Sequence, residues 1–359
     1  MSGFAEARAR RLLRFFRLLA FLILFLSTKR TWALQATEDF RIDGFVAQGY
    51  LKTSDNNALG ADPRGTFNFN SYSLLFKADV TDRFQVWSML FSSWEIKDSV
   101  FLDWAFGEYI FNDRFHLKVG KIPLPIGIYN EIRDITPVLP ASVLPGFYSK
   151  RAAFSPRAFK GLSLLGSFHP GETWGLSYDL YGGYGNDDRS DMEPLDNLVG
   201  ARLWAMPPIE FLRFGASYFH ASEFEEDDME RIEDANYVGS IEYHPPTGFN
   251  IRGEMGVHRH GSPVGRTSIG YYVEASYLLK DRWLPMVRYD AFFPDRTKDS
   301  NIADYQKDWM VAINYRFSNF LVLKVEEHFI RGVALLEPSE NPDPKGRWNL
   351  FATSVSFLF

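Results

Sequence analysis

The side chains of this chain best suited to chemistry are cations, and they fall into two groups. Between Lys121 and Lys160 the basic residues Lys121, Arg133, Lys150, Arg151, Arg157 and Lys160 outnumber Glu131 and Asp134 by four. Cations of one sign around a narrow, poorly screened passage would concentrate anions there. The second group, Arg202, Arg213, Arg252, Arg288, Arg316 and Lys324, is spread over the later chain, where Glu242, Glu254, Glu274, Asp290 and Glu326 share the same segments. These charges form either a ladder along a water-filled wall or a rigid set of ion pairs that plugs it, and the two arrangements predict opposite conductance.

Other chemistries find little support. A nucleophile must be held against a base, yet no G-x-S-x-G elbow occurs, and Ser217 and His220 lie three apart, on opposite sides of an extended strand. No enzymatic activity is expected. His258 and His260 share a strand face, but two ligands do not make a metal site, so no metal or other cofactor is expected. The run Glu223-Phe-Glu-Glu-Asp-Asp-Met-Glu-Arg-Ile-Glu-Asp234 lacks the spacing of a calcium loop and reads as a solvated external loop, as do Asp187, Asp188, Asp191 and Glu193. With no cysteine, the chain has no disulfide framework and no thiol chemistry.

The elements that must carry these residues show a period of two. In Phe249-Asn-Ile-Arg-Gly-Glu-Met-Gly-Val257 the apolar residues take one face, while Asn250, Arg252 and Glu254 take the other. Tyr271–Tyr277 and Leu321–Glu327 repeat the arrangement around Glu274, Lys324 and Glu326. Such segments fall at about 40–52, 70–80, 84–92, 100–111, 115–121, 160–168, 173–185, 197–206, 209–220, 235–244, 249–258, 268–279, 283–292, 308–317, 320–329 and 348–359. Each is near the roughly 9–11 residues that a tilted membrane strand needs. Short turns such as Thr81-Asp-Arg83, Asn112-Asp-Arg114 and Lys280-Asp-Arg282 alternate with long connections, the pattern of a barrel with one short-turn end and one long-loop end. A Lys or Arg on a lipid face costs about 2–4 kcal/mol at the midplane, so the strand charges are expected to face a wet interior. Trp87, Trp174, Trp204, Trp283, Trp309 and Trp348 lie toward strand ends, as interfacial girdles require.

The expected fold is therefore all-β, a transmembrane antiparallel β-barrel of about 16 strands. The stretch Lys121–Lys160, the third long connection, carries five prolines between Pro123 and Pro145 and many apolar residues. A stiff, partly apolar loop of this kind is expected to fold into the lumen. Residues 1–36 hold a run of arginines, the apolar stretch Leu18–Leu26 and small residues near Ala33 and Ala36, the layout of a removed export signal. Residues 37–359 then form a single barrel domain. The leader holds seven basic residues and one acidic, so its loss moves the net charge from −6 to about −12, which excludes nucleic acid as a partner.

The segment Val119-Gly-Lys-Ile-Pro-Leu-Pro-Ile-Gly-Ile-Tyr-Asn-Glu-Ile-Arg-Asp134 resembles the stretch that follows a lumen strand in phosphate-selective porins of the O/P type. Weaker echoes are Gly200-Ala-Arg202, Gly215-Ala-Ser217, Arg288-Tyr-Asp290 and Lys324-Val-Glu326. The closing Phe357-Leu-Phe359 likewise resembles the final strand of bacterial outer-membrane barrels, whose terminal Phe is read by the barrel-assembly machinery. These resemblances imply a homotrimeric channel of the bacterial cell outer membrane, bounded by lipid and lipopolysaccharide. It would pass small hydrophilic solutes by passive diffusion, with an anion, phosphate-like preference set by Lys121, Arg133, Lys150, Arg151 and Arg157. The competing readings are an adhesin or structural barrel, and a barrel lipase or protease.

Overall fold

The computed structural model describes residues 34–359, apart from 38, 97–98, 153, 155, 186–194, 226–229 and 262–264. Most of the leader therefore lies outside the described residues. Alternating polar and apolar side chains extend the chain into seventeen strands: β1 (Leu34–Thr37), β2 (Phe40–Thr53), β3 (Thr66–Thr81), β4 (Phe84–Ser93), β5 (Phe101–Asn112), β6 (Phe115–Pro123), β7 (Ala158–Phe168), β8 (Gly175–Gly185), β9 (Leu195–Met206), β10 (Leu212–Glu225), β11 (Glu230–Tyr243), β12 (Phe249–His260), β13 (Arg266–Tyr277), β14 (Trp283–Phe293), β15 (Gln306–Ser318), β16 (Leu321–Gly332) and β17 (Arg347–Leu358). The sixteen strands β2–β17 pair antiparallel with their neighbours in chain order, and β17 pairs with β2, which closes the barrel. Closure leaves no open sheet edge among these strands. β1 is a short addition paired with the start of β2.

The two faces of the barrel differ in polarity. Outward positions carry Leu162, Leu180, Val199, Met255, Val273, Val311 and Ile313, each between 42% and 53% exposed. Inward positions one residue away carry Glu254, Glu274, Arg288, Asp290, Lys324 and Glu326, all at most 6% exposed. Outward aromatic clusters mark the two ends of the strands. Trp283 sits 4.4 Å from Tyr315 beside the short turns, and Tyr289 sits 4.8 Å from Trp309 farther along. Trp174 also faces out, but three of the six tryptophans expected in girdles do not. Cross-strand register puts Trp87, Trp204 and Trp348 on the inward phase. There Trp204 underlies the Arg213 guanidinium at 4.2 Å and Trp348 donates to the Gly332 carbonyl. Their polar partners lie inside, which decides the face.

The last residue completes the closure. Phe359 and Gly44 exchange backbone hydrogen bonds of 2.9 and 3.0 Å, and the Phe359 ring stacks on Phe357. One expected loop is different. β10 and β11 stay paired as far as Glu225 and Glu230, so most of the acidic run 223–234 belongs to a long hairpin whose tip lies outside the described residues. Once two strands are in register, pairing continues as long as backbone donors face acceptors, whatever the charge of the side chains. The cluster Asp187, Asp188, Asp191 and Glu193 lies outside the described residues.

Candidate functional site

The long connection between β6 and β7 is ordered by four short 3-10 turns, Asn130–Ile132, Thr136–Val138, Gly146–Tyr148 and Lys150–Ala152. Prolines at 137 and 145 preset the backbone at two of them. Its apolar side chains Leu124, Ile126, Tyr129, Phe147, Tyr148 and Phe154 are at most 1% exposed and form the largest apolar cluster of the protein with inward-facing residues. Two glycines make room for this packing. Gly256 on β12 and Gly270 on β13 are Cα partners, and a Cβ on either would lie 2.9 Å from the Phe154 ring. Phe147 stacks on Phe154 at 4.7 Å in the notch so formed.

Polar contacts hold the rest of the segment to the inward faces of strands far apart in sequence. Tyr129 donates to Glu274, and Tyr148 donates to Glu254, which also accepts from Tyr272 at 2.6 Å. Burial and the facing carboxylates push both segment phenols well above their ordinary range, so they remain neutral donors. Farther along, Arg288 donates to the Val143 carbonyl at 3.0 Å and Lys324 to the Thr136 and Leu139 carbonyls at 2.6 Å. Asn314 donates to the Pro140 carbonyl at 2.7 Å. Glu326 accepts the Ser142 and Val143 amides, while Ser71 on β3 meets Thr136 at 2.8 Å. Buried charges are costly when unpaired, and here each meets a carbonyl, an amide or an opposite charge.

The basic series on the strands is largely neutralised. Arg202 pairs with Asp179 at 2.9 Å and with Glu131 of the segment. Arg213 and Arg252 share Glu242, and Arg252 also donates to the Tyr129 hydroxyl at 3.2 Å. Arg288 faces Asp290 at 3.3 Å. Arg316 is exposed at the short-turn end, where its backbone amide donates to the Arg282 carbonyl. These cations take the inward phase of their strands, but their partners in the long connection were not foreseen from the sequence. Acids on the same strands were visible; the pairing of Glu131, Tyr129 and the segment carbonyls with them required the three-dimensional register.

Four of the five side chains expected to set ion preference gather at one place. Arg133, Lys150, Arg151 and Arg157 line a cavity of about 590 Å³ between the segment and the walls formed by β2–β4 and β8–β11. Glu95, Asp134, Asp234, Glu337 and Glu340 line it too. Arg157 bridges Asp134 and Glu95, the latter at 2.7 Å, and Arg151 meets Glu337 at 2.6 Å. The fifth, Lys121, is elsewhere. Its Cα partner is Lys160, two residues beyond the partners Val119 and Leu162, which are both half exposed on the outer face. The period of two puts Lys121 and Lys160 on that outer face as well. In a lipid-bounded barrel, a cation so near the long-loop end of its strand would carry a penalty of only about 0–1 kcal/mol. Ser217 and His220 take opposite faces, and Ser217 accepts the Gly127 amide instead of meeting a base.

No protein-family model matches the sequence, and no functionally characterised protein matches it at significant similarity. Solved structures do resemble the fold. An anion-selective porin from Comamonas acidovorans superposes with a TM-score of 0.62 at 8% identity, over 89% of this chain and 99% of that one. Salmonella typhi OmpF, solved in complex with daunomycin, gives 0.62 at 11% identity over 89% and 97%. The outer membrane channel DcaP of Acinetobacter baumannii gives 0.60 at 12% identity over 91% and 99%. The chain thus has the closed sixteen-stranded fold of outer-membrane barrel porins.

Proposed function

We propose that this protein is an outer-membrane porin through which small hydrophilic solutes diffuse passively, and that the segment 124–157 lies in the lumen and narrows the passage. The observation that carries this reading is the cavity beside the segment, lined by charged and polar side chains and walled on its other sides by β2–β4 and β8–β11. The segment is hydrogen-bonded or ion-paired to the inward faces of β3, β9, β10 and β12–β17, and the cavity is the space left beside it for water. An export leader ending near residue 36 would deliver the chain, and Phe359 would present the final strand to the barrel-assembly machinery. Likeness in fold to outer-membrane barrels, one of them the Vibrio cholerae outer membrane protein OmpT in a trimer form, supports a homotrimer set in lipid and lipopolysaccharide.

The charge at the passage argues for weak selectivity. Arg133, Lys150, Arg151 and Arg157 favour anions, but the five carboxylates around the same cavity offset their field. A general diffusion pore with mild anion bias fits this balance better than a phosphate-selective pore of the O/P type, a reading that rests on the fifteen or so residues around Gly120–Asp134. Planar-bilayer recording of the purified mature protein tests both parts. Steady current steps with a small anion-favouring reversal potential are expected in a salt gradient. A barrel that conducts nothing would return the protein to a structural or adhesive role.

A further inference from the structure

We propose that Asp234, His258 and His260 form a binding site for a divalent transition-metal ion of the Zn²⁺ class in the wall of the cavity. His258 and His260 lie two apart on β12, so both rings project from its inward face. The register with β11 sets Asp234 opposite His260 and Asn236 opposite His258. One ligand atom from each of Asp234, His258 and His260 lies within 4.8 Å of the others. His260 Nδ1 is 2.8 Å from Asp234 Oδ1, whereas His258 Nε2 is 3.5 Å from Asp234 Oδ2.

Cross-strand His–Asp pairing alone does not account for this corner. The His258 side chain is only 8% exposed, and its Nε2 is left without a hydrogen-bond partner. The Asn236 amide oxygen, in a residue 1% exposed, is left in the same state. Two orphaned polar atoms on one face are costly, and a cation meeting both Nε2 and the carboxylate removes the penalty at His258. Asp234 and Asn236 line the cavity, which gives an ion access from water. Phe154 packs edgewise on the His258 ring at 6.2 Å and restrains its orientation.

The donor set selects the ion. Two imidazoles and a carboxylate suit Zn²⁺, Cu²⁺ or Ni²⁺, while Ca²⁺ needs six to eight oxygens. Bond lengths of about 2.0–2.1 Å would draw the three atoms closer by small side-chain rotations and leave a fourth position for water. The site does not depend on whether the barrel conducts.

The test is calorimetric titration of Zn²⁺ into the chelator-stripped, full-length mature barrel in detergent. One ion per chain is expected, with affinity at least about tenfold weaker in His258→Ala and in Asp234→Asn, and with no competition from Ca²⁺. Substitution with Co²⁺ should give visible absorption of a nitrogen-ligated ion, lost in the His258→Ala/His260→Ala double variant. His260→Asn serves as the second single variant if His258→Ala does not give a heat-resistant folded barrel on gels. Absence of saturable Zn²⁺ binding, undiminished binding in the double variant, or equal competition by Ca²⁺ would each overturn the assignment.

Discussion

The ammonium nitrogen of Lys324, on β16, lies 2.6 Å from the carbonyl oxygen of Leu139, almost two hundred residues earlier in the chain. Lys324 is 1% exposed and also holds the Thr136 carbonyl. One buried cation thereby fixes two points of the segment between β6 and β7 against the barrel wall.

Replacing it should release them. Lys324→Met keeps the volume and removes the donors, leaving two carbonyls unpaired at about 1–3 kcal/mol. Barrel unfolding in urea, followed by gel mobility, should shift to lower denaturant. Single-channel current should become noisier as the segment moves. Quiet current at unchanged stability would mean that this contact is dispensable.

The glycine notch offers an independent handle on the same segment. Gly256→Val places side-chain atoms where Phe147 and Phe154 now lie, and overpacking of this kind costs about 1–3 kcal/mol. The strands should still form, because Val is compatible with extended backbone. Limited trypsin digestion at Lys150 or Arg151 should then become faster than in the parent protein.

Arg157 bridges Asp134 and Glu95 beside the cavity. Arg157→Gln removes one positive charge and leaves both carboxylates in the passage wall. The ratio of cation to anion permeability, measured from reversal potential in a salt gradient, should rise on the order of twofold. Lys121→Gln supplies the contrast, since the outer face of β6 carries that side chain. Its reversal potential should match the parent value, and a shift as large as that of Arg157→Gln would place Lys121 on the wrong face.

Much of this was legible in the sequence because lipid and water impose a rule at every second residue. All sixteen barrel strands were readable from alternation, and Glu254, Glu274, Lys324 and Glu326 take the inward face, as the cost of charge in lipid would require. The failures share one cause: alternation fixes a face only when its phase is known locally. At Gly120, φ is 140°, and Lys121, the last residue of the expected strand 115–121, was also counted with the cations of the long connection although its strand phase puts it on the outer face of β6. Tryptophans suit either face, so Trp204 and Trp348 required knowledge of their partners, Arg213 and the Gly332 carbonyl. The neutralisation of Arg202 by Glu131 joins residues 71 apart, and no local pattern encodes it.

The C-terminal closure can be tested in cells. Phe359→Ala retains the backbone exchange with Gly44 but loses the ring stacked on Phe357. The fraction of heat-resistant folded barrel in outer-membrane preparations should fall, while protein refolded in detergent should be little changed. An equal loss in both settings would assign Phe359 to stability alone.

The central claim is that segment 124–157 narrows an aqueous passage through the barrel, and single-channel conductance of a variant lacking residues 136–149 tests it most directly. Removing those residues takes away the partners of Lys324, Arg288 and Glu326 but leaves all sixteen barrel strands intact. The account predicts steady current steps in the parent protein and clearly larger ones in the shortened barrel. Steps of the same size in both, or no steps in either, would contradict it.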